Sequence, residues 1–323
     1  MNENVIFMGT PQFAAVVLER LINSGYRVVA CFTQPDKPVG RKMQLTPSPV
    51  KVAAEAAGIP VCQPNRLRDD EVIKQIKKLR PDLIITAAYG KILPMSVLEI
   101  PKSGCLNVHG SILPKYRGAA PIQWAILKGE RETGITIIQM DEGMDTGPML
   151  SNAACPIGPD ENAPDLTVRL ADLGADLLVQ TIPGYLDGTI LPIPQDHERA
   201  TYAPPITREQ GLIDWRDSAE SIHNQIRGLA EWPGAYTEYK DKRMKIYCSA
   251  LPGNTDELED AYRVAHGEPE PGTLICARKG VLAVMCGDVP LLLRCVQPES
   301  CKKLDAAECA HNFSVADHFG GEG

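Results

Sequence analysis

The feature that most limits what this chain can fold into is an alternation. Over the first 185 or so residues, short apolar runs alternate with segments of helical spacing. The runs are 4–9 (NVIFMG), 27–33 (RVVACFT), 82–88 (DLIITAA), 105–110 (CLNVHG), 134–140 (GITIIQM) and 147–157 (GPMLSNAACPI). Between them lie 14–25, 49–58, 69–80, 120–130 and 165–182, in which apolar residues recur every three or four positions. Unbroken apolar strands joined by helices predict an α/β fold: a doubly wound, mostly parallel, Rossmann-like sheet covered on both faces. Residues 183–207 are rich in proline and break the pattern. A single helix at 218–230 and a series of short strands separated by turn signals follow, which predict a small β-barrel. The expected organisation is a domain over 1–188, a linker over 189–206 and a second domain over 207–323.

Composition narrows the setting. Of 323 residues, 44% are apolar and only 5% aromatic, so aliphatic side chains must fill the core. No run of about 18 apolar residues exists and the N-terminus lacks a basic segment leading into an apolar one, so a cytoplasmic protein with no membrane span is expected. The ten cysteines include no C-x-x-C pair and sit singly in strand-like runs, which reads as reduced thiols and no zinc site. The six histidines show no paired ligand spacing, and no metal is expected. The net charge of −8 argues against indiscriminate nucleic-acid binding.

In open parallel sheets, ligands bind beyond the carboxyl ends of the strands. The loop at 9–14 (GTPQFA) has one glycine, so the dinucleotide fingerprint is absent and a nicotinamide dehydrogenase is disfavoured. In the run ending NVHG, alternation along a strand lets Asn107 and His109 project together while Val108 packs behind. The loop 139–149 carries Asp141, Glu142 and Asp145. Each feature taken alone is ordinary loop or turn chemistry. Together they offer an amide donor for a developing oxyanion, an imidazole and a carboxylate. That set suits acyl transfer to an amine supplied by the substrate, with no covalent enzyme intermediate.

The long segments NVHGSILPKYRGAAPIQWAI and GITIIQMDEGMDTGPML resemble the folate-dependent formyltransferases. MGTPQFAA, TQPDKPVGRKMQLTPSPVK, AAYGKILP and RGAAPIQ resemble the branch that formylates methionine on initiator tRNA. The match is close over 1 to about 185 and looser beyond. It implies 10-formyltetrahydrofolate as formyl donor and methionyl initiator tRNA as acceptor, in a protein acting as a monomer. By position it implies that Asn107 hydrogen-bonds the formyl oxygen, that His109 stabilises the tetrahedral intermediate, and that Asp145 orients His109 and takes the amine proton. Folate would lie along Ser111, Ile112, Leu113 and Pro114, and the backbone of Lys91, Ile92 and Leu93 would touch the pterin. The second domain would be an OB-like barrel that binds tRNA.

Charge complicates the tRNA reading. From residue 206 onward there are 13 basic against 19 acidic residues. Two basic runs remain: 37–51, with Lys37, Arg41, Lys42 and Lys51, and 239–247, with Lys240, Lys242, Arg243 and Lys245. Solvated loops often look like this. In the resembled branch, however, the first run enters the acceptor-stem end, with Arg41 at the selecting position. The alternatives are a formyltransferase acting on a small amine (glycinamide ribonucleotide or an amino sugar nucleotide), a formyl-folate hydrolase, and a non-catalytic binding module.

Overall fold

The computed structural model describes residues 3–39, 43–253 and 256–320. Its contacts divide the chain into two units. One is Met1–Pro121 with Glu132–Pro156 and Thr167–Pro204; the other is Pro205–Gly323 with Ile122–Arg131 and Ile157–Leu166. The second unit thus takes in two stretches from the first half of the chain, which no change of composition marks.

In the first unit, β1 (Asn4–Gly9), β2 (Arg27–Phe32), β5 (Val61–Cys62), β6 (Leu83–Ala87) and β7 (Cys105–His109) run parallel. Two shorter strands intervene in the chain, β3 (Lys37–Val39) and β4 (Gln44–Thr46), which pair only with each other. Beyond β7 the sheet continues antiparallel through β9 (Glu132–Gln139) and β10 (Met149–Pro156), after a two-residue β8 (Arg117–Gly118). The order is β10-β9-β7-β6-β1-β2-β5. The mostly parallel sheet is therefore as expected, with an antiparallel edge.

Val5, Ile6, Phe7 and Met8 are all at most 1% exposed, so β1 is covered on both faces. That is why it reads as an unbroken apolar run. On one face, α3 (Asp70–Leu79) brings Ile76 and α4 (Met95–Leu98) brings Val97 into a cluster with Ile6, Met8, Phe32, Ile84 and Cys105. On the other lie α1 (Gln12–Asn23) and α6 (Ala163–Leu186), joined by Arg20 reaching Asp172 and Asp176. Gly174 of α6 packs so tightly on β7 that a Cβ there would stand 2.8 Å from Val108 Cγ1. Val108 is thus fixed on the α6 face, and Asn107 and His109 project to the opposite one. Between β4 and β5, α2 (Pro49–Ala56) is capped by Ser48, whose hydroxyl accepts from the Lys51 N–H.

The residues read as a linker are tied to the first unit as far as Pro204. Ile193 exchanges two backbone hydrogen bonds with Met149, and β11 (Tyr202–Ala203) pairs parallel to β8. A segment with proline at every few positions cannot join a central sheet, but it satisfies its remaining polar groups in short bridges of this kind.

The second unit holds α5 (Pro121–Leu127) from Ile122 on, and α7 (Ala219–Gly228), whose N-cap Ser218 accepts from the Ser221 N–H. Its sheet consists of β12 (Ala235–Tyr239), β13 (Lys242–Ala250), β14 (Leu274–Arg278), β15 (Val281–Met285), β16 (Pro290–Pro298) and β17 (Leu304–Asp305). The strands are antiparallel, in the order β12-β13-β16-β15-β14 with β17 beside β16. A closed barrel is not formed among the described residues: β12 and β14, the ends of the path, do not pair. The C-terminal segment lies between them instead. Leu274 exchanges hydrogen bonds with Ala316 and Asp317, Phe319 donates to Gly272, and Gly320 donates to Glu238 of β12. Trp215, Ile222, Ile226, Met244, Leu274, Leu293 and Phe319 fill the interior.

Two helices of this unit were not expected, α8 (Asp256–His266) and the short α9 (Ala306–Cys309). One polar face of α7 secures the stretch 157–166: His223 Nε2 bonds Pro159 O, and Arg227 Nη1 donates to Gly158 O and Glu161 O. No helix among the described residues is long and apolar enough to cross a membrane.

Candidate active site

Asn107 and His109 stand at the carboxyl end of β7, and Asp145 lies in the turn between β9 and β10. β9 runs antiparallel to β7 with Gln139 opposite Leu106, so the turn leaves at the amino end of β7 and folds back over the sheet face that Asn107 and His109 share. Asp145 Oδ1 is 3.2 Å from Asn107 Nδ2 and 3.5 Å from His109 Nδ1. The three side chains expected to converge do so.

Each has a second anchor. Thr86 Oγ1 of β6 donates to Asn107 Oδ1 at 2.7 Å, which turns the amide so that Nδ2 faces Asp145. One Nδ2 hydrogen goes to Asp145; the other has no acceptor among the described residues and is available to a substrate oxygen. His109 is 4% exposed, with Nε2 2.9 Å from Tyr116 O. A carbonyl only accepts, so Nε2 carries the hydrogen and Nδ1 is left facing the Asp145 carboxylate. Two lone pairs would repel there. The imidazole and the carboxylate thus stand side by side, the arrangement that proton relay between them requires. The second carboxylate oxygen, Oδ2, accepts the Gly118 N–H at 2.9 Å.

Asp145 has φ +54°, in the left-handed region that costs most residues on the order of 1–3 kcal/mol. Gln195 meets it from behind: Nε2 donates to Asp145 O at 2.8 Å and to Gly147 O at 2.7 Å. The guanidinium of Arg117, 2% exposed, donates to Gln195 Oε1 from Nε at 3.0 Å and Nη2 at 2.6 Å. Tyr116, Arg117 and Gln195 were not foreseen from the sequence. The signal that pointed towards them was the run PKYRGAAP, whose Tyr116 and Arg117 sit beside the expected folate segment.

In that segment, Ser111 and Leu113 are buried and Ile112 and Pro114 half-buried. Thr136 Oγ1 of β9 donates to Ser111 O and accepts the Leu113 N–H, which pins the loop to the sheet. At the other expected stretch, Ile92 is 73% exposed and Leu93 is buried. Lys91 Nζ donates to Pro64 O and Asn65 O, and burial followed by the Lys37 charge pushes its pKa down. Gly90 has φ +77°, and the peptides of Tyr89 and Gly90 accept from Gln34 Nε2. Residues 89–93 follow β6, which lies beside β1 where the strand order reverses, the crevice in which doubly wound sheets bind ligands; residues 111–114 follow the adjacent β7. A hollow of 590 Å³ lined by Lys77, Arg80, Ser96, Glu99 and Lys102 lies at the amino ends of β6 and β7, away from Asn107.

Of the basic residues, Arg41 and Lys42 lie outside the described residues. Lys37 is exposed in β3. Lys51 is not a free cation: it pairs with Asp36 at 2.7 Å, and its hydrogen bond with that carboxylate, joined by one from Gln63, holds Asp36 below the usual carboxylate range. In the second unit, Lys240 and Asp241 form the turn of the β12–β13 hairpin with φ +49° and +58°, the primed geometry that suits twisted strands. Lys240 pairs with Asp317 at 3.0 Å. Arg243 lies over the Tyr236 ring at 3.4 Å, and Lys242 is exposed. Lys245, half-buried, follows on the same strand.

The formyl transferase pattern matches residues 1–182, and the formyl transferase C-terminal domain pattern matches 205–314. The chain belongs to the formyl transferase family. It is 48% identical over 303 residues to a methionyl-tRNA formyltransferase of Trichlorobacter lovleyi, covering 94% of this chain and 92% of that one. It is 46% identical over 324 residues to one of Halalkalibacterium halodurans, covering 98% of each. Among solved structures, an N-formyltransferase of Helicobacter canadensis complexed with folinic acid and dTDP-3-aminofucose superposes with a TM-score of 0.66 at 20% identity, over 92% of this chain and all of that one. HypX of Aquifex aeolicus with tetrahydrofolic acid gives 0.61 at 16%, over 95% of this chain and 46% of that one. Likeness at that level extends to the fold.

Proposed function

We propose that this chain transfers the formyl group of 10-formyltetrahydrofolate to the α-amino group of methionyl initiator tRNA, as a cytoplasmic monomer. The observation that carries the reading is the unclaimed N–H of Asn107 beside the Asp145 carboxylate, which also lies 3.5 Å from His109 Nδ1. Nearly full-length identity to methionyl-tRNA formyltransferases supports the acceptor. The formyltransferase crystallised with an amino sugar nucleotide shares only 20% identity with this chain, which leaves the small-amine alternative weaker.

The chemistry follows from the geometry. An α-amine of pKa about 7.7–8.0 is substantially neutral in the cell and needs no activated enzyme nucleophile. As its nitrogen bonds to the formyl carbon, negative charge grows on the formyl oxygen, and Asn107 Nδ2 meets it with a hydrogen already oriented by Thr86. The attacking nitrogen must lose a proton and the leaving N10 must gain one; Asp145 and His109, 3.5 Å apart and beside the free Asn107 N–H, are the groups that would carry it. His109 adds a second polar group at the same centre. The folate would rest on 111–114 and against the backbone of 91–93, where the exposed Ile92 offers apolar surface.

For the tRNA, Lys37, Arg41 and Lys42 would meet the acceptor end, and Lys240, Lys242, Arg243 and Lys245 would contact its backbone. On this reading 1–188 is the catalytic domain, 207–323 the tRNA-binding domain, and 189–206 the connection. The test is formyl transfer by Asn107→Ala and His109→Ala, each expected to lose about a hundredfold or more in rate with folate binding retained. Near-normal turnover by either would remove its assigned role.

A further inference from the structure

We propose that Gln195, locked by Arg117, is a positioning residue that holds the Asp145 peptide, and hence its carboxylate, in the reactive geometry. This rests on the reading of Asp145 as the proton acceptor. Gln195 lies 50 residues beyond Asp145, in the proline-rich stretch expected to be a mere connection. It is 5% exposed and every polar valence is used. The two Nε2 hydrogens meet Asp145 O and Gly147 O, and Oε1 takes two bonds from one guanidinium. The amide has one possible orientation: turned over, its NH2 would face a cation that only donates, and its oxygen would face two carbonyls.

Arg117 is fixed in turn. Its backbone N–H donates to Thr201 O, and Nη2 reaches His197 Nδ1 at 3.2 Å. Among the described residues no carboxylate lies within ion-pair distance of it, so a buried charge is held by neutral acceptors for the sake of Gln195's orientation. Desolvating a cation for a purely passive brace is expensive. The same three-residue stretch sets the remainder of the site: Tyr116 O takes the His109 Nε2 hydrogen, and Gly118 N–H holds Asp145 Oδ2. Gln195 grips the carbonyls on either side of a residue at φ +54°, where an unsupported chain would relax and swing the carboxylate away from His109 and Asn107.

The substitution that isolates this role is Gln195→Glu. A carboxylate keeps the bond to Arg117 but has no hydrogen for the two carbonyls. The account expects kcat to fall about tenfold or more, with KM for formyl-folate and for methionyl-tRNA each within about twofold and the melting temperature nearly retained. In an Asp145→Asn background, assayed with enzyme in excess, the same change should cost less than about twofold further, because the group it positions is gone. Arg117→Lys, which keeps charge but loses the fork, gives an independent reading and should show the same split. An undiminished kcat in Gln195→Glu would overturn the proposal, as would a full multiplicative loss in the Asp145→Asn background. Near-normal turnover by Asp145→Asn alone would instead overturn the reading of Asp145.

Discussion

Asn107, His109 and Asp145 are held by hydrogen bonds whose partners are other residues' backbones as well as side chains. Tyr116 O decides which nitrogen of His109 carries hydrogen, and Thr86 decides which way the Asn107 amide points. Thr86→Val should therefore slow formyl transfer without touching either proposed substrate site. The methyl group replaces the donor at almost equal volume, and the amide is free to turn over. A fall of about tenfold in kcat measured by single-turnover transfer is expected, and an unchanged rate would show that Asn107 needs no such help. At this scale the juxtaposition of the three was legible, because two of them share one strand's parity and the third lies in an acidic turn. Gln195 and Arg117 were not legible. Their contacts span 78 residues of chain, and neither carries a spacing that marks a partner.

At the scale of elements, the close approach of β1 to its neighbours decides what the first loop can be. A Cβ on Gly9 would stand 2.6 Å from Ala14 Cβ and 2.9 Å from Ala87 O. Gly9→Ala is expected to destabilise the fold by about 1–3 kcal/mol, read as a lowered midpoint in urea with an unchanged slope. An unchanged midpoint would mean that the strand ends can part. The longer strands and helices of the first 185 residues were legible because both-face burial gives long apolar runs and helix spacing is regular, whereas β3, β4, β5, β8 and α4, of two to four residues each, are too short to carry a period. The region after residue 205 was less so. α8 has a usable periodicity in DELEDAYRVAH but almost no apolar weight, so nothing set it apart from a charged loop. The closing of the second sheet depends on which strand the C-terminal segment lies beside, and hydrogen bonds between distant backbone groups leave no mark on composition.

Across the whole molecule, titration and thiol exposure give two global readouts. Asp36, Asp82 and Asp214 are all held below the ordinary carboxylate range, chiefly by hydrogen bonds from Lys51, Lys102 and Arg216, and Asp214 falls to about 2. A folded state that binds protons more weakly than the unfolded one gains stability above the unfolded pKa and loses it as pH falls. The melting temperature should therefore be level near neutrality and decline from about pH 4 downward; a rise over that interval would contradict these pairings. Cys31, Cys105 and Cys286 are buried and pushed up to about 12, whereas Cys248 and Cys301 are exposed. Alkylation of the native protein at pH 8 should mark Cys248 and Cys301 first and leave the three buried thiols intact until unfolding, as peptide mapping by mass spectrometry would show.

The central claim is that the free amide hydrogen of Asn107, with His109 and Asp145 beside it, serves to move a formyl group to an amine on RNA. The most direct measurement supplies labelled 10-formyltetrahydrofolate together with methionyl initiator tRNA, methionyl elongator tRNA, an amino sugar nucleotide or water alone. Label should pass to methionine on the initiator, far more slowly to the elongator, and not to the sugar. Rapid transfer to the sugar, or release of free formate with no labelled tRNA, would contradict it.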